Sequence, residues 1–222
     1  MSEETKITLS PKELDLVCNT EWILTKHTII DKVYAMFGTF ITPMQHAMTR
    51  ANIPADVIGS SPKISRGENY RQLPYVILDY PRLFAKDDTL AIRTMFWWGN
   101  FFSITLQLAG MYKNKSVPAL LEKFDQIKQH GYWVCIHPDP WQHHFEADNY
   151  KRIADLAKPE FANILDRGSF LKLAIQCPLS RWTEVPGFVE KSFDEMIEVI
   201  GTNYQGDETS LSPGIPTTDF DL

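Results

Sequence analysis

Phe96-Trp97-Trp98-Gly99-Asn100-Phe101-Phe102 marks an aromatic β-hairpin around which the rest of the chain is built. Gly-Asn between two aromatic runs is a two-residue hairpin signal, because glycine supplies the positive φ that such turns require. A turn at Gly99-Asn100 pairs Trp98 with Phe101, Trp97 with Phe102, Met95 with Ile104 and Arg93 with Leu106. One face then carries Trp97, Phe102, Met95, Ile104, Leu106 and Leu108 and is expected to be core. The other carries Thr94, Ser103, Thr105 and Gln107, with Phe96, Trp98 and Phe101 near the tip. The competing arrangement is one long strand bulged at Gly99-Asn100. It would run over roughly 40 Å at about 3.3 Å per residue, longer than strands usually are.

Upstream of the hairpin, Leu73 to Tyr80 is apolar and aromatic, with Pro74 near its start and Pro81 just beyond, as suits a strand near a sheet edge. Residues 52–69 hold two prolines and two glycines with little periodicity, and read as loop. Ser10-Pro11-Lys12-Glu13 is a helix start of the capping-box type. The helix it opens is expected to run to Cys18 and to bury Leu14, Val17 and Cys18. A second helix carries Trp22, Ile29, Ile30, Val33 and Phe37 at helical spacing and is expected to stop near Gly38 and Pro43. Thr42-Pro43-Met44-Gln45 repeats the cap pattern and predicts a short third helix through Met48.

Downstream, Ser116 to His130 reads as a helix with Val117, Leu120, Leu121, Phe124 and Ile127 on one stripe. Tyr132 to Ile136 follows as a short strand, a β-α-β step in which the strands are expected to pair in parallel. A Pro-, Trp- and His-rich loop at 137–145 precedes a helix expected near Ala147–Ala157 and a short one opened by Pro159. Phe170 to Cys177 alternates as a strand with Leu171, Leu173, Ile175 and Cys177 on one face, and Gly187 to Ile200 reads as the last helix. The expected class is therefore α+β: N-terminal helices, a largely antiparallel central sheet containing the 91–109 hairpin, and helices packed on it. Residues 1–9 are expected to be a flexible N-terminus, 10–202 a single domain, and 203–222 a disordered polar tail.

With 222 residues, 44% hydrophobic and 12% aromatic, the chain can build a substantial core. A net charge of -6 argues against nucleic acid as the main partner, since phosphate backbones need a basic face. The start Met-Ser-Glu-Glu-Thr-Lys lacks a signal-peptide apolar stretch, and the apolar run Met95 to Tyr112 is broken by Asn100, Ser103, Thr105 and Gln107. Neither reads as a membrane segment. Three separated cysteines, Cys18, Cys135 and Cys177, suit free thiols in a reducing compartment, so a cytoplasmic location is expected.

Two groups of residues are candidates for chemistry. Arg66, Asn69 and Tyr70, followed by Arg82 and Arg93 and by Trp98 at the hairpin tip, would form a site for a small anionic ligand if the guanidinium groups converge. Arg–carboxylate pairing with Glu68 and Asp79 accounts for the same arginines without a ligand. The second group is Cys135-Ile136-His137-Pro138-Asp139-Pro140-Trp141-Gln142-His143-His144-Phe145-Glu146. Here His137, Asp139 and His143, or the adjacent His144, are the first choice of ligands for a divalent metal. A rigid proline-fixed loop whose histidines face solvent or cap helices is the plainer reading. No P-loop, GxGxxG, HExxH, EF-hand or GxSxG pattern occurs, and no catalytic residue or cofactor is assigned.

The run Arg66-Gly67-Glu68-Asn69-Tyr70, Leu73-Pro74-Tyr75, Leu78-Asp79-Tyr80-Pro81 and Phe96 to Phe102 resembles bacterial conserved-hypothetical proteins without an assigned activity. The resemblance covers about residues 64–110 and implies no substrate. Two functions of different class follow from the residues. One is the binding of a small anionic molecule between the arginine-bearing loop and the strand ends. The other is a non-enzymatic interaction domain whose aromatic sheet face meets a partner or a second copy of the chain.

Overall fold

A computed structural model of the chain describes residues 7–51 and 53–201. Residues 1–6 of the expected N-terminal segment, and all of 203–222, lie outside it. In chain order the elements are α1 (Pro11–Cys18), α2 (Thr20–Arg50), α3 (Ala55–Ile58), β1 (Lys63–Tyr70), β2 (Leu73–Phe84), β3 (Thr89–Trp97) and β4 (Phe101–Ala109). They continue with α4 (Gly110–Glu122), α5 (Phe124–Gln129), β5 (Trp133–Cys135), β6 (Tyr150–Arg152), α6 (Lys158–Asp166), β7 (Phe170–Pro178) and α7 (Val185–Gly201). The strands form one seven-stranded sheet in the order β1-β2-β3-β4-β7-β5-β6, every pairing antiparallel, so the chain is an α+β protein. Among the described residues no helix is long and apolar enough to cross a membrane.

The hairpin forms, but its register differs from the expected one by a residue. Phe96 pairs with Phe102 and Trp97 with Phe101, leaving Trp98-Gly99-Asn100 as a three-residue connection. Gly99 takes φ +72°, the Asn100 amide donates to the Trp97 carbonyl at 3.0 Å, and the Trp98 amide donates to Pro74 of β2. Because side chains alternate along a strand, the one-residue shift exchanges the two faces of β3. Leu90, Ile92 and Phe96 join Phe102, Ile104, Leu106 and Leu108 in the main core. Met95, Trp97 and Phe101 lie on the reverse face under Tyr70, Tyr75 and Phe145.

The main core lies between the sheet and helices α2, α4 and α7. α2 contributes Ile30, Val33, Phe37, Phe40, Met44, Ala47 and Met48, a stripe that continues through the expected break. Pro43 sits on the exposed side of this helix, so the missing N–H costs a hydrogen bond at the surface while the stripe on either side stays buried. The predicted third helix at 42–48 is thus part of α2.

Four further expectations are corrected. Residues 63–69 of the segment read as loop belong to the edge strand β1; Gly67 fits there because the Tyr75 ring of β2 lies across its bare Cα. The helix predicted from Ser116 starts earlier, at Gly110, because Asp88 of the distant β2–β3 turn accepts the Met111 amide at 2.7 Å and serves as an external cap. No helix covers 147–157; Tyr150–Arg152 instead pairs with β5, and Ile153–Asp155 is a single 3-10 turn. Finally, β5 does not pair in parallel with β4, because β7 lies between them and is antiparallel to both.

The capping box at Ser10 is present as predicted, with the Glu13 amide donating to Ser10 Oγ and the Ser10 amide donating to Glu13 Oε2. The helix that it starts buries none of its residues. Leu14, Val17 and Cys18, expected inside, are exposed.

Candidate functional site

The reverse face of the sheet carries a polar row that sequence alternation leaves on one side of β2, β3, β4 and β7. Asp79, Arg93, Thr105 and Ala174 stand in register across these strands, with Gln107 and Lys172 one pair further along. Residues 136–149, the connection between β5 and β6, fold over this row; we call them the histidine loop.

Arg93 holds Asp79 through two hydrogen bonds, Nε to Oδ1 at 2.7 Å and Nη2 to Oδ2 at 2.8 Å. Its Nη1 lies 3.0 Å from His143 Nε2, and its guanidinium lies over the Trp141 ring at 5.6 Å. Guanidinium can only donate, so His143 Nε2 is the acceptor and the imidazole is neutral. Burial, together with the Lys172 and Arg93 charges, pushes the His143 pKa well down. Lys172 is 1% exposed and donates to the Pro140 carbonyl at 2.8 Å and the Gln142 carbonyl at 2.6 Å. Burial lowers its pKa to about 8.

Tyr70 closes the loop from the other side. Its hydroxyl accepts the His143 amide at 2.7 Å and the His144 amide at 3.1 Å, while its ring packs on Trp97. At the loop's start His137 Nδ1 accepts the Asp139 amide at 3.0 Å. The Asp139 carboxylate accepts the Trp141 amide and Gln142 Nε2, contacts that hold its pKa below the usual range. Phe145 plugs into the sheet, stacked on Tyr150 at 4.8 Å and edge-on to Phe101 and Trp133.

Of the residues singled out in the sequence, Tyr70, Arg93, His137, Asp139 and His143 meet at this loop. Arg66 and Asn69 are exposed on β1, and Arg66 pairs with Val76 on the helix side of the sheet, away from Arg93. Arg82 is exposed, with its amide donating to Ser60 Oγ at 3.0 Å. Trp98 sits at the hairpin turn, edge-on to Trp22 of α2 and to Phe96. The arginines therefore do not surround one point. His137, Asp139 and His143 are likewise each held by a hydrogen bond within the loop or to Arg93.

Two features missed by the sequence reading are open to solvent. A cleft of about 400 Å³ lies at the end of β5 and is lined by Cys135, Ile136, His137, Arg167, Ser169 and Phe170 among others. Its wall is fixed by Lys113, whose Nζ donates to the Gly168 carbonyl at 2.6 Å. Burial pushes the Cys135 thiol up, and its Sγ lies 3.5 Å from Asn149 Oδ1, so it offers no ready thiolate. The second feature is the arm formed by residues 7–18 and the first turns of α2. Leu14, Leu16 and Val17 are 53%, 44% and 70% exposed, and Ile7, Leu9, Trp22, Ile23 and Leu24 are exposed beside them. The arm is tied to the sheet by the Trp22–Trp98 contact and by Lys26 Nζ on Glu68 at 2.5 Å.

No family model, no curated protein and no solved structure matches this chain.

Proposed function

We propose that this chain is a self-associating interaction domain whose contact surface is the N-terminal arm and whose occupant is a second copy. The observation that carries this reading is α1, which presents Leu14, Leu16 and Val17 and buries no residue of its own. An eight-residue helix has little stability in water without packing, so a capped but uncovered α1 calls for a covering surface. The arm exposes eight large apolar side chains, Ile7, Leu9, Leu14, Leu16, Val17, Trp22, Ile23 and Leu24, a concentration that marks interaction surfaces.

A second copy fits the charge pattern. The arm carries both signs, Lys12 and Lys26 with Glu13, Asp15 and Glu21, so a two-fold axis can set a lysine of one copy against a carboxylate of the other. A helix that lies on a membrane surface carries a Lys/Arg-rich polar face, which this arm lacks. The aromatic sheet face considered from sequence is not the available surface: Phe96 lies in the main core, Phe101 lies under Phe145, and Trp98 meets Trp22. Light scattering over a dilution series tests the proposal, with the mass expected to fall toward one chain only at low concentration. A single-chain mass at every concentration would end it.

The cleft at the end of β5 supports a second reading, the binding of a small anionic molecule. Arg167 and His137 line this cleft, where an arginine-bearing turn meets strand ends. A thermal-shift panel of phosphates and carboxylates tests it; a ligand at 100 times its Kd stabilises a fold by about 2.7 kcal/mol. Loss of the shift in Arg167→Ala would assign it to the cleft, and no shift with any anion would remove this reading. The free thiols Cys18, Cys135 and Cys177 support a reducing, cytoplasmic location.

A further inference from the structure

We infer that His144, Glu146 and Asp148 form a binding site for a borderline divalent cation of the zinc class. The three alternate along the histidine loop as His144-Phe145-Glu146-Ala147-Asp148, with Phe145 anchored in the sheet between them. One ligand atom from each lies within 4.8 Å of the others.

What separates this cluster from an ordinary acidic turn is His144. The residue is 5% exposed, and its Nδ1 is buried without a hydrogen-bond partner. Nδ1 stands 3.8 Å from Glu146 Oε2 and 3.8 Å from Asp148 Oδ1. A ring N–H satisfied by a carboxylate would sit near 2.8 Å from one oxygen, and a buried polar nitrogen left without any partner is destabilising. Two oxygens equally distant and both out of hydrogen-bond range leave a gap that a cation would fill. Zinc–ligand bonds of about 2.0–2.2 Å place neighbouring ligand atoms roughly 3.3 Å apart. Glu146 and Asp148 therefore need to close by only part of an ångström to an ångström and a half, and both are on the exposed side of the loop, with side chains 60% and 66% exposed.

The surroundings fit a bound cation. Arg71 Nη1 donates to Glu146 Oε1 at 2.5 Å, which leaves Oε2 turned toward His144 in the manner of an outer-shell donor to a ligating carboxylate. The backbone of His144 is fixed at both ends, by its amide on Tyr70 Oη and its carbonyl on Asn149 Nδ2. One imidazole and two carboxylates suit zinc, cobalt or manganese better than calcium or magnesium, which prefer all-oxygen shells. The Arg71 charge offsets one carboxylate, so affinity is expected to be moderate. Water would complete the coordination.

Titration calorimetry of the full chain with zinc chloride in metal-free buffer tests the site. The expected result is one zinc per chain, weakened by at least about tenfold in Asp148→Asn and in Glu146→Gln. Both substitutions are at exposed positions, and circular dichroism confirms the fold of each variant. Long-range proton–nitrogen spectra are expected to move the His144 Nδ1 resonance on adding zinc. Absence of binding at millimolar zinc, unchanged affinity in either variant, an unmoved His144 Nδ1, or tighter binding of calcium than of zinc would each overturn the inference.

Discussion

Arg93 and Asp79 are joined by two parallel hydrogen bonds, 2.7 and 2.8 Å long, between neighbouring strands on the reverse face of the sheet. The side chains are only 17% and 8% exposed, so each charge depends on the other. Removing one partner of such a pair leaves an uncompensated buried charge. Arg93→Ala and Asp79→Asn are each expected to lower stability by about 3 kcal/mol in urea unfolding. Arg93→Lys should recover little, because an ammonium cannot make the double contact and cannot also reach His143. A loss under half a kcal/mol would mean the pair is solvated.

Lys172 gives a pH signature. Its folded pKa is lowered to about 8, while in the unfolded chain it is about 10.4. Below pH 8 the protonated lysine is charged in both states, and its buried charge penalises the fold in full. Between the two values the unfolded state binds more protons, so this contribution to stability rises with pH and levels off above the unfolded value. The full effect is on the order of 3 kcal/mol. Other groups titrate in the same window, so the expected outcome is a difference. Relative to Lys172→Met, the wild-type chain gains thermal stability from pH 7.5 to 10. A difference that stays flat or falls with pH would show that the ammonium is not desolvated.

Tyr70→Phe removes the acceptor for the His143 and His144 amides while keeping the ring against Trp97. Two amides in the loop then lose their partner, at about 1–3 kcal/mol for each that stays buried. Amide exchange at His143 and His144 is expected to accelerate while exchange in β3 and β4 is unchanged. Unaltered protection at both amides would show that the hydroxyl is not what holds the loop.

These residues mark how far the sequence could be read. The α+β class, the capping box, the alternation of β7 and the α7 stripe all follow from local pattern, and the structure carries them. The hairpin register does not, for a physical reason. Near the tip both alternating sets are large and apolar, Phe96 with Trp98 on one side and Met95 with Trp97 on the other, so polarity cannot tell the faces apart. The turn residues then decide, and a three-residue connection replaced the expected two. The start of α4 was hidden because its cap, Asp88, is 23 residues away from Met111 in sequence.

At the candidate site, Lys172 was visible only as the polar position between Leu171 and Leu173. Its burial depends on carbonyl groups of Pro140 and Gln142, 32 and 30 residues away. The alternation His144, Glu146, Asp148 is not the ligand set expected from sequence, which was His137, Asp139 and His143 or His144. Its meaning depends on the burial of His144 Nδ1, which only the folded loop supplies. Helical spacing likewise assigned an apolar stripe to α1 and could not tell whether this chain or a second one covers it.

Whether the arm meets a second copy is decided by the double variant Leu14→Asp with Val17→Asp. Both positions are exposed on α1, so the fold should be unaffected, as far-UV circular dichroism and thermal unfolding would show. Sedimentation velocity at high micromolar concentration is expected to give twice the 25.6 kDa chain mass for the wild-type protein and the single-chain mass for the double variant. A wild-type protein that sediments as one chain, or a variant that keeps the doubled mass, would contradict the proposal.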